Sequence, residues 1–185
     1  MKMEHSISKT NSICTFWLDN HLFGVDVMKV QEVIPVNEIT QVPFSKSEIA
    51  GITNLRGQIV TAIDLRRRLW KKHNMKKTSP INFFVRVKGE LVSFLVDSIG
   101  DVIEVQEEDF ERHVDTKNEI SEDLIHGVYK LPRSLLLILD VDRAADVITT
   151  SDYVKRRSDY LKDNDRAQSA KMPRLHKKDM EVVQM

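Results

Sequence analysis

The sequence predicts a mainly β protein with short helices, in which two small β-barrels follow each other in tandem. Short apolar runs bounded by turn residues recur along the first 150 residues. Part of this pattern is duplicated, because Gly51 and Asp64 correspond to Gly127 and Asp140, and each pair is 76 residues apart. Solenoid repeats are roughly 20 to 50 residues long. The longer repeat therefore indicates a duplicated β domain.

The first predicted hairpin and the segment after it come from a change in periodicity. Residues 13–18 alternate between apolar and polar positions, and a polar break separates them from a second run at 22–25. Asp26 can then accept hydrogen bonds from the first N–H groups of a helix, and apolar residues follow at helical spacing until Pro35. The pattern predicts a hairpin followed by a short amphipathic helix over 27–34.

A second hairpin is predicted over residues 52–63, with Arg56 and Gly57 at its tip. Residues 45–48 before it have the spacing of a helix capping box. Asp64 follows the hairpin and is positioned to cap another short helix.

Beyond residue 80 the chain repeats the strand pattern. The predicted strands are 81–87, 91–96, 102–105, 128–131 and 135–139. Lys88 and Gly89 fit a tight turn, whereas 106–123 is acidic and is predicted to be loosely helical. Asp140 is predicted to cap a helix over 141–148.

These elements divide the chain into a folded region and two flexible ends. The predicted boundaries are a flexible N-terminus at 1–11, a folded region at 12–149 with barrel halves at about 12–72 and 80–149, a connector at 71–80, and a polar, basic, flexible tail at 150–185.

Composition excludes several classes of protein. Lys plus Arg and Asp plus Glu both number 28, so no net charge draws the whole chain to nucleic acid or to anionic lipid. No apolar window approaches the roughly 18 residues of a membrane helix, so we expect a cytoplasmic protein without direct membrane insertion. Cys14 is the single cysteine, and the six histidines are dispersed, so the pattern does not predict a zinc site.

No catalytic constellation is evident either. Asp64 and Asp140 are the most conspicuous carboxylates, but capping is sufficient to explain both. His126 has no nucleophile or orienting carboxylate at a recognisable spacing, and Cys14 alternates with apolar residues as a buried residue would. The sequence contains no nucleotide-binding loop, hydrolase elbow or metalloprotease motif. We therefore expect no enzyme activity, no catalytic residue, no metal site and no cofactor.

Two basic features suggest binding functions. The stretch 66–77 could contact phosphates, which leaves open an alternative function as a small nucleic-acid-binding protein with tandem β-barrels. Arg56, at a hairpin tip, adds nothing obvious to a core, and arginine in such a position favours contact with a partner's carboxylate.

Three stretches of the sequence resemble the CheW-like coupling proteins of bacterial chemotaxis in order, spacing and residue identity. They are Gly24 to Val33, Gly51-Ile52-Thr53-Asn54-Leu55-Arg56-Gly57, and Ile63-Asp64-Leu65-Arg66. The resemblance extends over about residues 12–148. It implies two five-stranded, SH3-like β-barrels packed together.

The resemblance also implies a non-catalytic adaptor that bridges the cytoplasmic tips of methyl-accepting receptors to the regulatory domain of a CheA-type histidine kinase. Such a protein is recruited from the cytoplasm to membrane-associated receptor arrays, and its self-association there is left open. Nucleic acid is not an expected partner in this case. The implied partner-binding residues are Glu32, Arg56, Asn54, Gly57, Val30, Val33, Val102 and Val105.

Overall fold

Two β-sheets and a few short helices make up the computed structural model, which describes residues 10–70, 80–112 and 120–147. The strands are β1 (Thr10–Leu18), β2 (His21–Asp26), β3 (Val30–Pro35), β4 (Ile49–Leu55), β5 (Gln58–Asp64), β6 (Ile81–Val87), β7 (Glu90–Val96), β8 (Ser98–Gln106), β9 (Phe110–Glu111), β10 (Ile125–Leu131) and β11 (Ser134–Leu139). The helices are α1 (Leu65–Leu69) and α2 (Val141–Ala145), with 3-10 turns at Val27–Lys29, Glu107–Asp109 and Glu122–Leu124. The prediction of a mainly β protein is confirmed. None of the helices in the described ranges has the length and apolar character needed to cross a membrane.

The two sheets exchange hairpins between the halves of the sequence. The five-stranded sheet has the order β3-β6-β7-β5-β4, and the six-stranded sheet has the order β8-β1-β2-β11-β10-β9. The first hairpin of each half therefore joins the later strands of the other half, through the parallel pairs β5–β7 and β11–β2. The assignment of one barrel half to 12–72 and the other to 80–149 is wrong in this respect. The apolar pattern reveals which faces are buried but not which strands pair.

The predicted number of five strands is found in one sheet only. The short strand β9 pairs with β10 and adds a sixth strand to the other sheet.

The main core lies between the two sheets. Phe16 of β1 and Phe83 of β6 meet there with ring centroids 5.1 Å apart, and both side chains are fully buried. Because successive strand residues point to opposite faces, each sheet also buries a smaller cluster on its other face. The smaller clusters are Leu55, Val60 and Phe84 in the five-stranded sheet, and Ile13, Val105, Tyr129 and Leu136 in the six-stranded sheet.

The helix predicted over 27–34 is wrong beyond its first turn. Asp26 does act as a cap, since its carboxylate accepts a hydrogen bond from the Met28 N–H at 2.9 Å. The helical turn ends at Lys29, however, and Val30–Pro35 is strand β3, which pairs with β6. Four of these eight residues are β-branched, and such residues favour a strand wherever a partner strand is available.

The capping-box spacing at 45–48 also forms no helix. The Ser45 hydroxyl donates to the Val42 carbonyl at 2.8 Å, within a turn. Strand β4 then begins at Ile49. Hydroxyl side chains stabilise turns as readily as helix starts, so the spacing alone did not distinguish the two.

The acidic segment 106–123 contains less helix than predicted. Its described part holds the single turn Glu107–Asp109, strand β9 and the start of the turn Glu122–Leu124. Residues 113–119 lie outside the description. The helix predicted over 141–148 is confirmed for its first five residues only, as α2, which ends at Ala145.

Several predictions concern segments outside the described residues. They are the flexible N-terminus as far as residue 9, the connector at 71–79, and the basic tail at 150–185.

The duplication is confirmed at two glycines. The register of β4–β5 shifts at Gly51, and that of β10–β11 shifts at Gly127. A Cβ atom at Gly51 would lie 2.3 Å from the carbonyl oxygen of Thr40, and one at Gly127 would lie 2.6 Å from that of Glu111. In each half a crossing backbone segment therefore excludes any side chain at this position.

The duplication is equally clear at the two helix starts. The Asp64 carboxylate accepts a hydrogen bond from the Arg67 N–H at 3.2 Å, and the Asp140 carboxylate accepts one from the Arg143 N–H at 3.1 Å. Both aspartates therefore have the predicted capping role, which stabilises the N-terminus of a short helix.

Candidate partner-binding site

The turn that carries Arg56 is a two-residue hairpin loop. Arg56 and Gly57 both have positive φ angles, 53° and 90°, as the tight turn between β4 and β5 requires. The Asn54 side-chain oxygen accepts a hydrogen bond from the Gly57 N–H at 2.7 Å and braces the loop. The Asn-Leu-Arg-Gly sequence thus presents the arginine at a fixed tip.

Arg56 reaches across to Glu32. Its Nη2 atom lies 2.9 Å from Oε1 of Glu32, while 79% of the Arg56 side chain stays exposed, against 24% for Glu32. Strands β3 and β4 are the two outer strands of the five-stranded sheet, so this ion pair joins opposite edges. Ile34 of β3 packs against the cluster of Leu55, Val60 and Phe84. The ion pair therefore spans the two edges and leaves most of the cation accessible to a partner.

The two valines beside Glu32 have a structural role. A register shift between Val30 and Glu32 brings Val30 and Val33 to the same side of β3, where both are half-buried against the main core. They offer a partner only part of their surface.

The two valines predicted on the second half have different environments. Val102 is 57% exposed on β8, an outer strand of the six-stranded sheet. Val105 is only 5% exposed and belongs to the small cluster of that sheet. Residues three apart on a strand point to opposite faces. Val105 is therefore buried and offers a partner almost no surface in this conformation, whereas Val102 is exposed.

Sequence reasoning missed several exposed apolar residues. Ile59 is 70% exposed and lies opposite Asn54 in the β4–β5 hairpin. Leu135, its equivalent 76 residues later, is 55% exposed in the other sheet, and Met28 is 86% exposed in the turn before β3. The duplication itself was the signal that could have found Ile59 and Leu135, since it puts an apolar residue at the same place near both hairpin tips.

The described part of the basic stretch is engaged within the protein. Arg66 forms an ion pair with Asp97, and Arg67 forms one with Asp64. Arg68 donates hydrogen bonds to carbonyl groups near the end of α2. The alternative of nucleic-acid binding through this stretch finds no support in these three arginines, and the remainder of the stretch lies outside the described residues.

Two of the residues considered for catalysis, Cys14 and His126, are engaged in packing within the fold. Cys14 is buried, and desolvation raises the pKa of its thiol, which keeps it protonated and unreactive. His126 stacks on Phe110 with ring centroids 5.7 Å apart. The described residues contain no group of three or more histidine, cysteine or carboxylate side chains that could hold a metal ion.

Comparison with known proteins adds a consistent set of similarities. The family profile described as CheW-like domain matches residues 12–148. The chemotaxis protein CheW of Treponema pallidum is 29% identical over 135 residues, which cover 71% of this chain and 79% of that protein. CheW of Thermotoga maritima is 29% identical over 156 residues, 83% of this chain and all of that protein. The crystal structure of the scaffolding protein TtCheW from Thermoanaerobacter tengcongensis has a TM-score of 0.68 and 28% identity, and the match covers 75% of this chain and 94% of that structure.

Proposed function

Because the chain belongs to the CheW-like domain family, we propose that it couples methyl-accepting chemotaxis receptors to a CheA-type histidine kinase, as an adaptor without catalysis. The observation that carries the proposal is the exposed Arg56 guanidinium, held at a braced hairpin tip by Asn54 and Glu32. An arginine whose backbone and direction are already fixed loses little further entropy when it binds a carboxylate.

The receptor contact is proposed at the five-stranded sheet. A receptor tip is helical, and a helix offers a stripe of apolar side chains flanked by charges. Arg56 and Glu32 provide both signs of charge on one side of the sheet, and Val30 and Val33, half-buried on the other side of β3, provide only part of their apolar surface.

Apolar contacts with the kinase are proposed at Ile59, Leu135 and Val102. These three residues are more than half exposed and are distributed over both sheets. A regulatory domain of similar fold could bind one such surface while the receptor occupies another. Binding energy spread over separate modest interfaces strengthens a multivalent assembly.

This function implies that the protein acts in the cytoplasm and is recruited to receptor arrays at the membrane. It also implies that each sheet closes as a barrel, and the contacts between the edges of the five-stranded sheet are consistent with such closure.

The test is co-sedimentation of the purified protein with receptor signalling fragments and a CheA-type kinase, together with the kinase activity of the pellet. We expect a three-component complex whose kinase activity depends on the adaptor. Failure to join either partner at micromolar concentration would contradict the proposal. Salt-dependent binding to mixed DNA or RNA would instead favour the nucleic-acid alternative.

A further inference from the structure

Arg66 is the one charged residue among the buried residues of the described chain. Its guanidinium forms a bidentate ion pair with the Asp97 carboxylate: Nε lies 2.8 Å from Oδ1, and Nη2 contacts Oδ2. The Nη1 atom lies 2.9 Å from Oδ1 of Asp19. We name Arg66, Asp97 and Asp19 the Arg66 cluster.

The three members of the Arg66 cluster come from different parts of the fold. Arg66 belongs to α1, which directly follows β5 of the five-stranded sheet. Asp19 lies in the turn between β1 and β2 of the six-stranded sheet. Asp97 is the single residue between β7 and β8, where the chain passes from one sheet to the other. The cluster therefore links both sheets to the connection between β7 and β8, where the chain passes from one sheet to the other.

Backbone hydrogen bonds reinforce this tie. The Asp97 carboxylate also accepts a hydrogen bond from the Asp19 N–H at 2.7 Å, and the Asp97 N–H donates to the Trp17 carbonyl at 3.1 Å. Asp19 itself has a φ of 51°, so its turn is held in a conformation that few residues adopt. One carboxylate thus positions both the arginine and the turn.

A buried ion cluster differs from apolar packing in what it specifies. Apolar contacts between sheets are not directional, so they tolerate small rotations of one sheet against the other. A planar guanidinium between two carboxylates admits one geometry. Desolvation offsets much of the attraction within such a cluster, so its net contribution to folding is small.

We propose that the Arg66 cluster sets the orientation of the five-stranded sheet against the six-stranded sheet, and that it specifies this arrangement more than it stabilises the fold.

The duplication provides a matched comparison. Asp142 occupies the position in α2 that Arg66 occupies in α1, 76 residues earlier. It pairs with Lys29 at 3.3 Å, but the two side chains are 40% and 44% exposed. Water competes for this pair, so it cannot hold one geometry as tightly as the buried cluster does.

The orientation matters for coupling, a consequence that rests on the proposed function. Ile59 and Leu135 belong to different sheets, so the angle between the sheets sets the spacing of two partner-facing surfaces. Multivalent assembly is lost when geometry prevents simultaneous binding.

The orientation can be measured without any partner, as a distance between two spin labels. Glu90→Cys in the five-stranded sheet and Ser134→Cys in the six-stranded sheet provide exposed attachment sites. Cys14 can stay in place, because its burial and raised thiol pKa oppose labelling. The variant is Arg66→Met with Asp97→Asn, which removes the buried ion pair and keeps an oxygen for the Asp19 N–H. The control is Lys29→Met with Asp142→Asn.

We expect a narrow distance distribution for the parent and the control, and a broadened or shifted one for the Arg66 and Asp97 double variant, with a urea midpoint close to that of the parent. An unchanged distribution would overturn the proposal. A double variant that does not fold would overturn it too, since the cluster would then be essential for stability. Arg66→Lys, which keeps the charge but loses the two-pronged contact, should broaden the distribution in part.

Reconstituted coupling provides the second readout. The double variant should bind receptor fragments alone and kinase alone as the parent does, while adaptor-dependent kinase activity falls by about tenfold or more. Full activity despite a broadened distribution would overturn the consequence for coupling. A parent protein that does not couple at all would contradict the proposed function but leave the orientation measurement intact.

Discussion

Arg56 Nη2 lies 2.9 Å from Glu32 Oε1, although the residues come from opposite edges of the five-stranded sheet. In the proposed function the pair spans the two sheet edges and fixes the direction of an exposed guanidinium at the hairpin tip.

The ion pair should contribute little to folding. Exposed pairs are typically worth about 0.2 to 1 kcal/mol, and 79% of the Arg56 side chain is accessible. A double-mutant cycle of Arg56→Ala and Glu32→Ala, measured by urea unfolding, should therefore give a coupling energy of about 1 kcal/mol or less. A coupling energy several times larger would identify the pair as a structural clamp.

Leu55→Ala should destabilise the protein strongly, although Leu55 precedes Arg56 in the chain. Leu55 is 8% exposed and belongs to the cluster with Val60 and Phe84. Removing such a side chain leaves a cavity and costs about 2 to 5 kcal/mol. Thermal and urea unfolding measure this loss. A change below about 0.5 kcal/mol, as at an ordinary surface site, would contradict the assigned burial.

The two capping aspartates should behave alike. Asp64→Ala and Asp140→Ala each remove one hydrogen bond to a helix N–H, and each should cost about 0.5 to 2 kcal/mol. Asp142→Ala removes a carboxylate two residues further on, within the first turn of α2, whose partner is the Lys29 ammonium, and it provides the control. A large loss from one aspartate and none from the other would contradict the equivalence of the two helix starts.

Ile59→Ser should leave folding nearly unchanged and weaken assembly. Ile59 is 70% exposed, so its truncation leaves no cavity. Losing an apolar contact at an interface commonly costs about 1 kcal/mol or more of binding free energy. Titration of the kinase regulatory domain measures the effect, and Gln58→Ser is the neighbouring control. Equal affinity for the two variants would remove Ile59 from the proposed interface.

Local patterns predicted much of the fold. Alternation located most strands, and the tight turns at Arg56-Gly57 and Lys88-Gly89 follow from the need for positive φ angles there. The local sequence identified Asp64 and Asp140 as helix caps, since a cap depends on neighbours close in the sequence. The duplication showed that the two positions correspond.

The remaining features depend on contacts distant in the sequence. Val30–Pro35 has a periodicity compatible with a helix, but pairing with β6 makes it a strand. The exchange of hairpins between the sheets produces no recognisable pattern in the local sequence, because it depends on pairing between distant strands. At the site, the exposed Arg56 follows from the turn, whereas the burial of Val105 depends on the pairing of β8 with β1. The contact of Glu32 with Arg56 arises only when the sheet edges meet.

Arg56 is proposed to couple partners without holding the fold together, and receptor-dependent kinase activity reconstituted with Arg56→Ala tests this role. Lys88→Ala is the matched control, since Lys88 and Gly89 form a turn with φ angles of 49° and 88°, close to those of Arg56 and Gly57. We predict that both variants unfold within about 0.5 kcal/mol of the parent, and that only Arg56→Ala loses coupling. If Arg56→Ala couples as well as the parent, or if it unfolds the protein, Arg56 does not have the proposed role.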